Sequence, residues 1–205
     1  MTACEDTSLH KAVSPCTRTC TDYRSTLNHI RAANFKPGSE SVGHYEIEVR
    51  KSEQALLIRQ GSKVARRFYV SFGRGGPGDK HIRGDNKTPV GIYRIIKIKP
   101  DSPFHSFLML NYPNVKDAFY GLKDRRITMG EFDRIVEAIR YHEIPPQDTH
   151  LGGAIGIHGI GTITDQKLRI HQGLNWTKGC IALTNTELDE LKKYVEIGTR
   201  VVIYE

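Results

Sequence analysis

The chain has 205 residues, enough for one domain with a sizeable core or one domain behind an N-terminal extension. Apolar residues make up 38% and charged residues 26%, which excludes a chain disordered throughout and a membrane protein; no run approaches the ~18 apolar residues that a spanning helix needs. The net charge of +7 suits polyanions such as nucleic acid, anionic lipid or acidic wall polymers, but a solvated basic surface is the simpler reading, and no nucleic-acid module is visible.

Residues 1–43 stand apart: they hold three of the four cysteines, many Thr and Ser, and little apolar periodicity. Asp22–Arg31 has the makings of a short helix, and Asn34–Gly43 reads as a linker. From His44 the pattern turns to β. Tyr45, Ile47 and Val49 alternate with Glu46, Glu48 and Arg50, which predicts a half-buried strand. Ala55–Arg59 and Val64–Phe72 continue a three-stranded meander. The basic runs Lys63–Arg67 and Arg94–Lys99 alternate with apolar residues and read as strand faces. Gly73–Lys80 is a glycine-rich loop without the Gly-Lys-Ser/Thr ending of a phosphate loop, so nucleotide binding is rejected. Strands are expected at Ile92–Ile98 and Phe107–Leu110.

Two helices announce themselves by capping boxes. Thr128 with Glu131 precedes the apolar face Phe132, Ile135, Val136 and Ile139. Thr184 with Glu187 precedes Leu188, Leu191 and Val195, with Gly198 as the expected stop. Arg200–Tyr204 closes the chain as a strand. Without regular β-α-β alternation, a mainly β domain with inserted helices fits best.

The chemistry concentrates in residues 154–185. Ile155–Ile157 reads as a buried strand ending at His158-Gly159, and a loop of about fifteen residues leads to Thr177-Lys178-Gly179-Cys180. A thiol becomes a nucleophile when an imidazole takes its proton and a third group holds that ring. Gly179 lets a substrate approach the backbone, and amides around Gly179-Cys180 are candidate oxyanion donors. One Cys and one His apart in sequence are weak evidence alone, since single buried cysteines usually fill space.

His158-Gly159, a loop, then Thr177-x-Gly179-Cys180 resembles the catalytic motif of L,D-transpeptidases of the YkuD type. Thr88-Pro89-Val90-Gly91-Ile92-Tyr93 is similar to that family's Thr-Pro-x-Gly-x-Tyr strand. Leu110–Asn114, Leu151-Gly152-Gly153 and Asn175–Leu183 resemble the subgroup of ErfK-like and YafK-like envelope proteins. The resemblance spans about residues 44–205. It implies a β-sandwich-like catalytic domain there, behind an extension of residues 1–43, in an exported protein of the periplasm or cell envelope. No apolar export segment follows Met1, so an export signal removed from this chain is expected.

The resemblance also implies a reaction. Such enzymes attack the carbonyl between the L-centre of a diamino acid and D-alanine in a peptidoglycan stem peptide. A thioester forms, D-alanine leaves, and an amine on another stem or on an outer-membrane lipoprotein takes the acyl group. Carried over by motif, Cys180 is the nucleophile, His158 the base, and the Gly159 carbonyl the group that orients it. Thr177 and Gly179 shape and support the site. Lys178, Trp176 and His171 are candidate substrate contacts, Lys178 through a stem carboxylate. Trp176 is equally a packing residue, and His171 is expected to be a solvated loop residue. Many members have His at the position of Lys178, and Arg or Asn at that of Ala182, so the usual supporting contacts differ here. No metal or cofactor is implied, and carbapenems are expected inhibitors. A hydrolase using the same site, trimming stems or releasing wall-bound lipoprotein, is the nearest alternative. A non-catalytic wall-binding protein is the second.

Three features stay open. Cys16 and Cys20 are placed to form a disulfide in an oxidising compartment, or with Cys4 and His10 a zinc site. Thr2-Ala3-Cys4 resembles the end of a lipoprotein processing site, although the preceding apolar region is missing. Residues 112–150 read as an inserted cap that covers the sheet or shapes the cleft.

Overall fold

The computed structural model describes residues 45–205. The expectations for residues 1–43, including the helix at Asp22–Arg31 and the roles of Cys4, His10, Cys16 and Cys20, lie outside the described residues.

Strands β1 (Glu46–Arg50), β2 (Ala55–Gln60) and β3 (Lys63–Tyr69) form the expected antiparallel meander. In β1 the alternation is realised: Ile47 and Val49 are fully buried while Glu46, Glu48 and Arg50 are half-buried. Strand β8 (Arg200–Tyr204) runs parallel to β1, with Ile47 opposite Val201, and antiparallel to the start of β4 (Gly91–Ser102). The sheet continues through β5 (His105–Leu110), β6 (Gly156–His158) and β7 (Ile181–Ala182), in the order β3-β2-β1-β8-β4-β5-β6-β7.

Strand β4 makes this a two-layered structure. Its first residues pair with β8, and from Ile95 onward it pairs with β5 across register shifts at Ile95/Lys97 and Lys99/Ser102. Such bulges bend a strand and let it pass from one layer to the other. Isolated bridges Ser71–Ala182 and Gly73–Thr177 then bring the segment after β3 against β7, so the two ends of the strand order meet. Residues from both halves, among them Ile47, Leu56, Ile58, Tyr93, Leu108, Ile157, Ile181 and Val201, share one core cluster. The result is a mainly β, sandwich-like domain with inserted helices.

Four helices decorate it among the described residues: α1 (Val115–Lys123), α2 (Met129–Arg140), α3 (Asp165–Gly173) and α4 (Asn185–Leu191). Both expected capping boxes are formed, Thr128 with Glu131 on α2 and Thr184 with Glu187 on α4. Helix α4 ends at Leu191 and is capped by Lys192, before Val195; Gly198, at φ +98°, instead makes the turn into β8. No helix is long and apolar enough to cross a membrane among the described residues.

Helix α1 lies in the segment expected to be a cap and packs against α2. It is anchored by a buried ionic cluster. The Asp117 carboxylate accepts from Tyr93 Oη at 3.1 Å and from the Asn114 N–H at 2.9 Å, and Lys116 Nζ lies 3.0 Å from it. Lys116 also reaches Asp79 Oδ2 at 2.6 Å. Burial pushes the Asp117 carboxyl up, against the pull of Lys116 and Asn114. The end of the same segment holds the approach to β6: Gln147 Oε1 accepts the Ala154 N–H at 2.6 Å while its Nε2 donates to the Tyr112 and Pro145 carbonyls. Ala154 is thereby kept at φ +53°, a conformation that costs a residue with a side chain roughly 1–3 kcal/mol unless its surroundings impose it.

Candidate active site

Strands β6 and β7 bring the two halves of the sequence motif together. They pair in parallel, with Ile157 opposite Ile181 and His158 opposite Ala182. Residues two apart on a strand share a face, so the isoleucines point into the core while His158 and Cys180, which immediately precedes β7, share the opposite face.

The turn before Cys180 is shaped by Thr177, which is buried. Its Oγ1 donates to the Cys180 carbonyl at 2.7 Å and accepts the Gly179 N–H at 3.1 Å. Gly179 takes φ +128°, and a Cβ there would lie 2.8 Å from the Lys87 carbonyl and 3.0 Å from Ile155 Cδ1. Only glycine fits. Of the amides around Gly179-Cys180, the Gly179 N–H is donated to Thr177 Oγ1 in this structure. Thr88 of the Thr-Pro-Val-Gly motif accepts the Gly73 N–H at 2.9 Å, and Thr177 N–H and C=O bond to Phe72 and Arg74, so the glycine-rich loop backs this turn.

Cys180 is half-buried, and its thiol donates to the Ala154 carbonyl at 3.4 Å. Burial pushes the thiol up to about 11, although the Gly156 N–H and the Lys80 charge act in the other direction. The resting sulfur is therefore protonated at neutral pH.

His158 is 3% exposed. Its Nδ1 lies 2.6 Å from the Gly159 carbonyl. A carbonyl only accepts, so Nδ1 carries the proton and Nε2 presents a lone pair. Burial holds the imidazole below its ordinary value, opposed by the Gly159 bond and assisted by nearby His171. Its ring is boxed by Phe104 (4.6 Å between centroids), Trp176 (5.8 Å, edge-on) and Phe107 (6.1 Å, stacked).

His171 departs from expectation. The loop after His158 contains α3, and His171 sits in its last turn, 1% exposed rather than solvated. Ser71 Oγ donates to the His171 carbonyl at 2.7 Å, so His171 Nδ1 must donate to that hydroxyl at 3.1 Å. The Trp176 Nε1–H, 3.5 Å from the same protonated nitrogen, then contributes packing rather than a hydrogen bond. His171 Nε2 is buried without a partner among the described residues. Ser71 thus holds both the ring and the main chain of His171 in the interior. Trp176 is half-buried between the two histidines, and Lys178 is exposed beside the Cys180 turn. Phe104 and Phe107 lie far upstream of the motif and carry no local signal of a role; only the β5–β6 pairing and the hairpin between β4 and β5 bring them to His158.

The family model for the L,D-transpeptidase catalytic domain, YkuD, matches residues 44–203. The chain belongs to this family. Among solved structures it is similar to an L,D-transpeptidase from Xylanimonas cellulosilytica, at 17% identity over 87% of this chain and 69% of that one, with a TM-score of 0.45. A second is the helical cell shape determining protein of Campylobacter jejuni, at 23% identity, 87% and 53% coverage, and a TM-score of 0.49. A third is the catalytic domain of the Enterococcus faecium L,D-transpeptidase acylated by ertapenem, at 15% identity, 80% and 99% coverage, and a TM-score of 0.44. The chain thus spans about half the length of the Campylobacter protein. No curated protein matches it.

Proposed function

We propose that this protein is a thiol acyltransferase of the cell envelope that acts on peptidoglycan stem peptides through a thioester on Cys180. The observation that carries the reading is the shared face of His158 and Cys180, with Nδ1 of His158 tied to the Gly159 carbonyl at 2.6 Å and Nε2 left to accept a proton. As Cys180 Sγ attacks the stem carbonyl, its proton passes to His158 Nε2 and the C–S bond forms. The C–N bond to D-alanine then breaks, and the amine departs with the proton from the imidazolium. An incoming amine reverses the sequence and takes the acyl group. Water in its place makes the same site a carboxypeptidase.

Trp176 forms one wall of this site, and Lys178 supplies an exposed positive charge for a stem carboxylate. The chemistry is assigned to residues 44–205, with residues 1–43 as an extension. Such a substrate places the protein's work in the periplasm or envelope, and a wall-bound lipoprotein is a further candidate acceptor.

The test is incubation with purified tetrapeptide muropeptides and identification of every product by mass. Release of D-alanine with crosslinked product is expected. Cys180→Ala is expected to abolish turnover while changing stability by less than about 1 kcal/mol, because the half-buried sulfur contributes little packing. Turnover persisting in the pure variant would sink the mechanism. A carbapenem adduct on Cys180, absent in the variant, gives an independent check of the thiol.

A further inference from the structure

We propose that Phe104, at the tip of the β4–β5 hairpin, determines how the acyl group on Cys180 is divided between an amine and water, by covering His158 with an apolar ring. The inference rests on the thioester reading above and concerns what happens after that thioester has formed.

Two of the three rings around His158 have their places fixed by neighbouring structure. Phe107 is paired with His158 across the β5–β6 ladder, and Trp176 precedes the Thr177 turn and is wedged against His171. Phe104 is different. It sits in a hairpin tip, is 42% exposed, and yet makes the nearest ring contact to His158, at 4.6 Å. An exposed phenyl at a turn has no core to fill; its buried face is the one laid against the imidazole.

The tip is closed by its own turn and tied to α4. Phe104 N–H donates to Ser102 Oγ at 3.1 Å, and the Phe104 carbonyl accepts from Ser106 N–H at 3.0 Å. The next residue, His105, adopts φ +74° and places Nε2 2.9 Å from both carboxylate oxygens of Asp189 on α4. Beneath the tip, Gly159 and Gly161 leave room for its carbonyls. A Cβ on Gly159 would lie 2.8 Å from the Phe104 oxygen, and one on Gly161 2.2 Å from the Pro103 oxygen. The hairpin therefore rests directly on the His158–Gly161 turn.

Both fates of the thioester need the same imidazole. With water, the C–O bond forms as a water proton moves to His158 Nε2; the C–S bond then breaks, and Sγ recovers that proton, leaving a free carboxylic acid. With an amine, a C–N bond forms by the same transfers. An apolar ring laid against the imidazole at 4.6 Å offers a water molecule on that side no hydrogen bonds and so disfavours its residence there. A peptide-borne amine brings its own apolar and backbone contacts, for which an exposed phenyl face is a suitable surface.

The experiment uses the whole chain and a carbapenem as acylating probe. Wild type, Phe104→Ala and Phe104→Leu are acylated to completion and freed of excess drug, and loss of the adduct is followed by mass. Because the reading is taken after acylation, it does not depend on how fast each variant was loaded. Phe104→Ala is expected to lose the adduct at least about fivefold faster than wild type, and Phe104→Leu, which keeps apolar bulk, to stay within about twofold of it. With tetrapeptide substrate, the ratio of hydrolysed to crosslinked product should rise in the same order. Equal lifetimes in wild type and Phe104→Ala overturn the proposal, as does a Leu variant as short-lived as Ala. An Ala variant that no longer acylates assigns Phe104 to the first step and overturns it too. A wild type that the probe cannot load fails at the thioester reading itself, and the inference falls with it.

Discussion

The corner around Cys180 and the anchor around Asp117 are both buried and polar, but they are organised on opposite lines. At the anchor, side chains of opposite charge do most of the holding: Asp117 pairs with Lys116 and also accepts from the Tyr93 hydroxyl and the Asn114 main-chain N–H, and Lys116 pairs with Asp79. At the corner, main-chain groups do the holding. The Gly159 carbonyl fixes His158, the Ala154 carbonyl receives the thiol, and Thr177 bonds to the backbone at Gly179 and Cys180. A site that must move protons needs a group that is rigidly placed and still has an unused lone pair, and backbone partners provide the first without consuming the second. The anchor has no such group, and its role is to fasten α1.

The sharpest way to break this comparison lies between the two histidines. Both are buried, and burial lowers both below the ordinary imidazole value. Of the two, only His158 lies on a strand paired with β7, the strand that Cys180 immediately precedes. His158→Ala is expected to slow single-turnover acylation by about 10²–10⁴-fold, the usual contribution of a general base. His171→Ala is expected to cost about 1–3 kcal/mol of stability through the cavity it leaves, with acylation per folded molecule changed less than about tenfold. A deep kinetic loss in the His171 variant with a mild one in the His158 variant would reverse the assignment.

A smaller effect tests the anchor. Asp117→Ala leaves the Tyr93 hydroxyl without its buried carboxylate acceptor and Lys116 with Asp79 as its remaining carboxylate, which is expected to cost about 2–4 kcal/mol in urea unfolding. The acylation rate of the folded fraction should not change, since the cluster's hydrogen bonds and ion pairs join α1 to Tyr93 and Asp79 rather than to the Cys180 turn. A rate loss larger than the stability loss explains would mean that α1 reaches the cleft.

What could be read in advance divides along the same line between local and distant contacts. The meander was legible because Ile47 and Val49 alternate with charges, and α2 and α4 because Thr128 and Thr184 begin capping boxes within four residues. The role of Gly159 was legible because it adjoins His158. Helix α1 gives little sequence signal because Val115, Ala118 and Gly121, its small inward residues, make a faint apolar stripe, although Asn114 and Asp117 do form a capping box. Helix α3 was invisible because His171 alone is buried on it, so no apolar period exists to find. The apolar spacing runs past the end of α4 because Val195 continues it through a turn rather than a helix. The aromatic box and the Ser71–His171 contact depend on strands meeting across the sheet, for which neither Phe104 nor Ser71 carries any local mark.

The last and smallest effect is that of pH, and it separates the two histidines' contribution to stability from the contribution of one of them to rate. Each has a folded-state value lowered from 6.5, chiefly by burial. A base lowered in the folded state contributes stability that is fully present above its unfolded value and is lost as pH falls through its folded value. Stability is therefore expected to be level above about pH 6.5 and to decline below it as the unfolded chain takes up protons that the folded chain resists. Acylation should follow His158 alone: its acid limb should fall below pH 6.5, because the imidazole stays neutral and able to accept a proton at that pH. No rise from a pre-ionised thiol is expected through pH 9, because the Cys180 thiol is pushed up to about 11. Replacing His171 with leucine should flatten the acid decline in stability while leaving the acid limb of the rate near its original position, shifted only by loss of the small effect of His171 on its neighbour. A rate limb centred above pH 7, or one that disappears with His171, would show that the proton acceptor is not His158.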